Sequence, residues 1–236
     1  MEDPLEGVDG RGYVVTGVAT AHVEAAHRPL ISACVMALDD ILGADLHSLR
    51  LNGSVATGQA VPGRSDLDLM AILRHAKAID LTAVATQAVG PQSLVRDIGV
   101  SVITLAELMA PGAAARVERC FVHHYSVGVH GPDLALDEVP CKADAALAHG
   151  FSAGLLRRLP TLAAGDLGDV DDAPALGRAV LMSTALLLSR REGSWSTDRR
   201  RAIDLVGRHA PHHGADAEAV FDWADSRGRG FGSDSA

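Results

Sequence analysis

Residues 49–73 read Leu-Arg-Leu-Asn-Gly-Ser-Val-Ala-Thr-Gly-Gln-Ala-Val-Pro-Gly-Arg-Ser-Asp-Leu-Asp-Leu-Met-Ala-Ile-Leu, and the reading of this stretch decides the fold. Leu49 and Leu51 alternate with polar neighbours, the period of a half-buried strand. That strand runs into Asn52-Gly53-Ser54, where glycine permits backbone conformations that other residues resist. Gly58, Pro62 and Gly63 keep the next residues irregular or briefly helical. Asp66 through Leu73 then reads as a second strand, polar only at its start. Alternate side chains of a strand share a face, so Asp66 and Asp68 are expected on one side and Leu67 and Leu69 on the other.

Two ionised carboxylates crowded together repel unless one takes up a proton or a cation sits between them. Mg²⁺ is the expected guest, because it prefers hard oxygen ligands and is commonly held by one or two carboxylates together with substrate phosphates. The Gly53-Ser54 turn offers backbone N–H groups and a hydroxyl to the remaining phosphate oxygens. The competing reading is a hairpin turn at Asn52-Gly53 beside an acidic strand end. Two overlapping motifs fail. Gly53 and Gly58 have the spacing of a P-loop, but Gln59-Ala60 stands where Lys and Ser/Thr are needed. Asn52-Gly53-Ser54 spells a glycosylation acceptor, which has meaning only in a secreted chain.

The order Gly53-Ser54, a loop, then Ser65-Asp66-Leu67-Asp68 resembles the signature of the polymerase-beta-like nucleotidyltransferase superfamily. Within it the chain looks most like small bacterial proteins of the aminoglycoside-adenylyltransferase kind, which follow this domain with a helical one. The resemblance covers mainly residues 45–105, with fainter echoes near 131 and 195. It implies an α+β fold: a small mixed sheet with flanking helices, then a C-terminal helical bundle. It also implies a nucleoside triphosphate, ATP first, bound through Mg²⁺, and transfer of its nucleoside monophosphate to a hydroxyl of a small, aminoglycoside-like acceptor. Carried onto this sequence, Asp66 and Asp68 are the metal ligands and catalytic acids, and Gly53, Ser54 and Ser65 bind the nucleotide.

Family members carry a third acid on the following strand, and alignment of residues 96–102 puts Gly99 at that position. Asp97 is the nearest substitute. Alternation places Asp97, Gly99 and Ser101 on one face if the strand begins early enough; the alternative is that Asp97 only caps or solvates a loop. Gly99 motivates a second reading, a degenerate nucleotide-binding or regulatory module with weak or no transfer. A third is an enzyme that nucleotidylates a protein. Residues 192–202 look like the start of the helix that carries a basic residue toward the triphosphate, with Ser196 or Thr197 as its N-cap. Arg199 is the first candidate, and Arg200 and Arg201 are its rivals. Asp166, Asp169, Asp171 and Asp172 form an acidic run that either greets a polycationic acceptor or is merely exposed.

The remaining chain frames this site. With 236 residues, 47% of them hydrophobic, it can bury a substantial core, and two modest domains are expected. A net charge of −9 argues against a nucleic-acid surface and suits a cationic small molecule. Cys34, Cys120 and Cys141 form neither a CxxC pair nor a disulfide framework, so they read as small core residues of a protein in a reducing cytoplasm. None of the 11 histidines shows HExxH or Cys-His zinc spacing. The acidic residues 1–10 do not read as a signal, and the most apolar helical run, residues 179–189, is too short for a bilayer. A soluble, cytoplasmic protein with no membrane or nucleic-acid partner is therefore expected.

Residues 1–16 read as a loose lead-in. Leu30, Ile31, Cys34, Val35, Leu38, Ile41 and Leu42 fall on one helical stripe that Gly43 stops and Pro29 either starts or kinks. A helix over residues 75–89 and a strand over 100–105 follow, giving a β, α, β order. Residues 121–129 read as a strand leading to Gly131-Pro132-Asp133-Leu134, which looks like the last sheet strand of the superfamily. On a strand His123 and His124 face opposite sides and read as mostly structural, the lesser alternative being that one approaches the acceptor as a proton carrier. Helices are expected over 143–162, 173–191, 197–209 and 215–226. The domains are then 1–139 and 140–226, with a mobile tail at 227–236. Gly150-Phe151-Ser152-Ala153-Gly154 matches the GxSxG elbow of hydrolases, but helical sequence on both sides points to helix packing instead.

Overall fold

The computed structural model describes residues 6–134, 141–164 and 173–226. These form two compact units: the described residues of Thr16–Cys141, and those of Met1–Val15 together with Lys142–Ala236. The boundary near 139 and the tail 227–236 lie outside the described residues, as do Asp166, Asp169, Asp171 and Asp172.

The lead-in is more ordered than its sequence suggests. Strands β1 (Gly7–Val8) and β2 (Val14–Val15) pair antiparallel. The Asp9 carboxylate shapes the turn between them by accepting the N–H groups of Arg11 and Tyr13, each at 2.9 Å. This hairpin belongs to the unit of the C-terminal helices, and not to the segment that follows it.

In the unit Thr16–Cys141, Pro29 sits in the first turn of α1 (Arg28–Leu42), so the helix starts there without a kink, and Gly43 at φ +50° ends it. Strand β3 (Leu46–Asn52) leads through the short helix α2 (Gly53–Thr57) to β4 (Leu67–Leu73). Helix α3 (Leu81–Val89) is shorter than the expected 75–89, because the Asp80 side chain caps it by accepting the Ala83 N–H at 3.0 Å. His75 and Lys77 instead reach Asp45, at 2.9 and 2.5 Å. Strand β5 (Ile98–Thr104) is followed by α4 (Leu105–Leu108), α5 (Ala113–His124) and β6 (Ser126–His130). The strand expected over 121–129 is corrected: Phe121 to His124 close α5, and the strand starts at Ser126. Val122 is a strand former by propensity, but here it is buried with Met70, Ile72 and Leu108, and that tertiary packing overrides the preference.

The sheet order is β5-β4-β3-β6, with β3 antiparallel to both β4 and β6 and β4 parallel to β5. One face buries Leu49, Leu51, Leu67, Leu69 and Ala71 against Ile31, Cys34 and Leu38 of α1 and Leu81 of α3. The other sets Met70, Ile72 and Ile103 against Leu108 of α4 and Val122 of α5. With apolar cover on both sides, β4 reads as a continuous hydrophobic run.

The other unit is helical beyond its hairpin: α6 (Ala145–Phe151), α7 (Ala153–Ala163), α8 (Ala173–Ser189), α9 (Arg199–His209) and α10 (Gly214–Ser226). The helix expected over 143–162 is divided at the buried Ser152, so the GxSxG segment spans the junction of two helices and follows no strand. Trp195, 1% exposed, anchors the core, and Phe151 meets it edge-on at 6.0 Å. The N-cap of α9 is Asp198 and not Ser196 or Thr197: its carboxylate accepts the Arg200 N–H at 2.8 Å. Thr197 is engaged instead by Glu6, which accepts its N–H at 2.6 Å and its hydroxyl at 2.9 Å. Among the described residues no helix is long and apolar enough to cross a membrane.

Gly131 ends β6 at φ +80°, and a Cβ there would stand 2.8 Å from Ser48 Cα, a backbone atom that cannot yield. Gly131→Ala should therefore lower stability by about 1–3 kcal/mol, read as a drop in the urea midpoint, and an unchanged midpoint would refute this account of the corner.

Candidate functional site

The ladder that builds the sheet also builds the site. Asp68, second residue of β4, lies opposite Asn52 of β3 on one side and Gly99 of β5 on the other, and Asn52 is in turn opposite Ser126 of β6. These positions share the face that carries Met70 and Ile72, at the end of the sheet where α2 begins.

Gly53 follows Asn52 at φ +70°, and a Cβ on it would collide with Asp68 Oδ2 and lie 3.3 Å from Asp68 Cγ. Glycine thus lets the backbone turn rest directly against the carboxylate. Ser54 fixes the short helix beyond, its carbonyl accepting the Gln59 N–H at 2.9 Å and the Thr57 hydroxyl at 3.1 Å. The Asn52 amide oxygen is buried in this row with no hydrogen-bond partner. A Cβ on Gly99 would lie 3.7 Å from Asp68 Oδ1, so an acidic side chain at this position would have stood beside Asp68.

Asp66 stands just before β4 and is gripped at both oxygens by Arg96, Nε donating to Oδ1 at 3.0 Å and Nη2 to Oδ2 at 2.5 Å. The pair is about one-third exposed on each side, 35% for Arg96 and 30% for Asp66. The Ser65 hydroxyl accepts the Val61 N–H at 2.9 Å and closes the turn leading into the strand. Asp97 precedes β5 and is exposed; its Oδ1 accepts the N–H of its neighbour Ile98 at 2.8 Å. Among the described residues Asp66, Asp68 and Asp97 do not form a cluster whose oxygens all lie within 4.8 Å of one another. The structure therefore joins Gly53 to Asp68, ties Asp66 to Arg96, and turns Asp97 onto its own backbone.

Three contributors escaped the sequence reading. Asn52 was legible only as a turn residue, and Arg96 only as the neighbour of Asp97. Arg50, two residues before Asn52 on the same sheet face, donates from Nε to the Ser126 hydroxyl at 2.7 Å and from Nη2 to the Ser126 carbonyl at 3.1 Å. Burial pulls its pKa below the ordinary arginine value, and the negative charge of Asp133 opposes that pull. A register through Asn52, Asp68 and Ser126 would have exposed Arg50, but a sequence alone does not supply it.

In the helical unit Arg199 opens α9 and is half-buried, Arg200 lies over the Phe221 ring at 4.7 Å, and Arg201 pairs with Glu192 at 3.2 Å. That unit also holds a cavity of about 360 Å³ with Phe151, Leu155, Arg158 and Met182 in its wall. Among the described residues its lining has no carboxylate.

The fold resembles that of a spectinomycin adenyltransferase from Enterococcus faecialis, whose crystal structure holds ATP and spectinomycin. The TM-score is 0.55 at 12% sequence identity, over 84% of this chain and 90% of that one. At such identity the likeness is one of fold: an α+β architecture with a small mixed sheet, flanking helices and a helical C-terminal part. No family model matches the sequence, and no curated protein matches it.

The Gly53–Asp68 contact is open to a double-mutant cycle. Gly53→Ala should destabilise the protein by about 1–3 kcal/mol. In the Asp68→Ala background only the backbone strain remains, so the two changes should couple by about 0.5–3 kcal/mol. Strict additivity in urea unfolding would mean that glycine is not needed there to admit the carboxylate.

Proposed function

We propose that the protein is a nucleotidyltransferase, moving a nucleoside monophosphate, AMP from ATP first, to a hydroxyl of a small acceptor. The observation that carries this reading is the Asp68 carboxylate lying against the Gly53 turn, beside the buried and unpartnered amide oxygen of Asn52. The fold supports it, because the solved neighbour was crystallised with ATP and spectinomycin.

The donors suit Mg²⁺. Asp68 and the Asn52 oxygen are hard ligands, and a carboxylate held by arginine at two of its lone pairs, as Asp66 is, keeps others for a cation. In this reading Asp66 and Asp68 hold the metal. When bound, Mg²⁺ neutralises phosphate charge and aligns an in-line displacement at the α-phosphorus.

The chain's own groups do the rest. Gly53 admits the triphosphate to the backbone, Ser54 and Ser65 flank it with hydroxyls, and Arg96 fixes the direction in which Asp66 points. Arg199, the first residue of α9, is the cation we propose for the phosphate tail, on the resemblance of residues 192–202 alone. Asp97 serves as base or third acid once it turns from the Ile98 amide. The net charge of −9 suits a cationic acceptor of the aminoglycoside kind.

Gly99 beside Asp68 favours a second reading, a nucleotide-binding or regulatory module in which transfer is slow or lost. Incubation with labelled ATP, Mg²⁺ and a panel of hydroxyl-bearing acceptors separates the two; label on a polypeptide would identify a protein-modifying enzyme instead. Asp66→Asn and Asp68→Asn should each cut transfer by about 100-fold or more. Gly99→Asp should tighten Mg²⁺ binding and raise the rate. Undiminished transfer in both asparagine variants would sink the leading reading, and ATP binding with no product from any acceptor would select the second.

A further inference from the structure

Helix α5 carries a cluster that the proposed transfer does not use. Cys120 and His124 are four residues apart, so one helical face presents both. The chain returns to that face at Cys141, the last residue of the sheet unit. The two sulfurs and an imidazole nitrogen all lie within 4.8 Å of one another. Cys120 is 0% exposed and Cys141 8%, and His124 is half-buried. The Cys141 N–H donates to His124 Nε2 at 3.2 Å, and the Thr16 hydroxyl donates to the His124 carbonyl, so the ring and both flanking segments are fixed.

We infer that Cys120, His124 and Cys141 form a binding site for a thiophilic divalent cation, Zn²⁺ first. Two thiolates and one imidazole are the donors that zinc takes, with a water completing the tetrahedron. Mg²⁺ and Ca²⁺ seek oxygen, so this site and the carboxylate site select different metals. The two sulfurs share a hydrogen bond: it pulls the Cys141 thiol down, helped by His124, and together with burial it pushes the Cys120 thiol up. Cys34 shows the contrast. It is buried too, and burial pushes its thiol up to about 11 against the opposing pull of its own backbone N–H. Zinc binding releases the thiol protons to solvent and pins residue 141 to the end of α5, the helix whose Val122 packs on the Asp68 face of the sheet.

The sequence hid this cluster because Cys120 and His124 have zinc-compatible spacing only on a helix, and residues from 121 onward read as a strand. The test uses the full chain, purified under reducing conditions, stripped with a chelator and titrated with Co²⁺ as the spectroscopic probe and Zn²⁺ as competitor. One cobalt per chain is expected, with a thiolate-to-cobalt charge-transfer band and tetrahedral d–d bands that Zn²⁺ abolishes. Cys120→Ser and Cys141→Ser should weaken binding by more than the roughly 10–100-fold typical of losing an outer partner, and Cys34→Ser should leave the bands intact. Should a serine variant fail to fold, the wild-type stoichiometry and bands still decide the matter. Absence of those bands from folded wild-type protein would overturn the proposal. So would their persistence in both serine variants, or a Cys120–Cys141 disulfide whose reduction yields no metal uptake.

Discussion

Pairing of β4 on both edges is the constraint on which the rest of the unit depends. Its antiparallel bond to β3 and parallel bond to β5 put Asp68 between Asn52 and Gly99, and the hydrophobic cover on both faces fixes that register. A slip of one residue would move Leu67 and Leu69 off the face packed on α1 and α3 and push Asp68 into that apolar layer, so the packing of the strand also holds the carboxylate in place. Gly53 can meet Asp68 only because this register brings it there.

The two acids are held in different ways. Asp68 is placed by ladder and turn, which are rigid, whereas Asp66 is placed by a partly exposed arginine pair. Exposed pairs of this kind contribute about 0–1 kcal/mol, so the grip of Arg96 is easily exchanged for a competing cation. Arg96 is therefore well suited to orient Asp66 without locking it. Asp97 belongs to neither arrangement: its register position is adjacent, but the nearest donor to its carboxylate is the next amide along its own chain.

Much of this was legible in the sequence. The alternation at Leu49 and Leu51, the Gly53-Ser54 turn and the strand that holds Asp68 follow from side-chain period and glycine chemistry, which are local properties. The stripe from Leu30 to Leu42 and its glycine stop were equally readable. Errors arose where a non-local contact outweighed a local preference. Val122 is helical because its core neighbours come from β4 and α4, and α3 is short because Asp80 caps it where the periodicity alone would extend the helix. Asp198 displaces Ser196 and Thr197 as a cap because Glu6, almost two hundred positions earlier, occupies Thr197. Arg50 and Arg96 enter the site through sheet register, which a single sequence does not state.

Donor chemistry divides the sheet unit in a way that composition does not show. The oxygens of Asn52 and Asp68 face each other across the ladder near α2, and the sulfurs of Cys120 and Cys141 meet at the C-terminal end of α5. Because α5 lies over the face that carries Asp68, a metal clasping α5 to residue 141 would stiffen one wall of the carboxylate site without touching the nucleotide. The coupling would run through packed side chains such as Val122, Met70 and Ile72, and such a contiguous core transmits displacement because it has little free volume to absorb it. On the two proposed sites, Mg²⁺ and Zn²⁺ would then act on the same sheet from two directions, one on the proposed transfer and the other on the shape of the face that supports it.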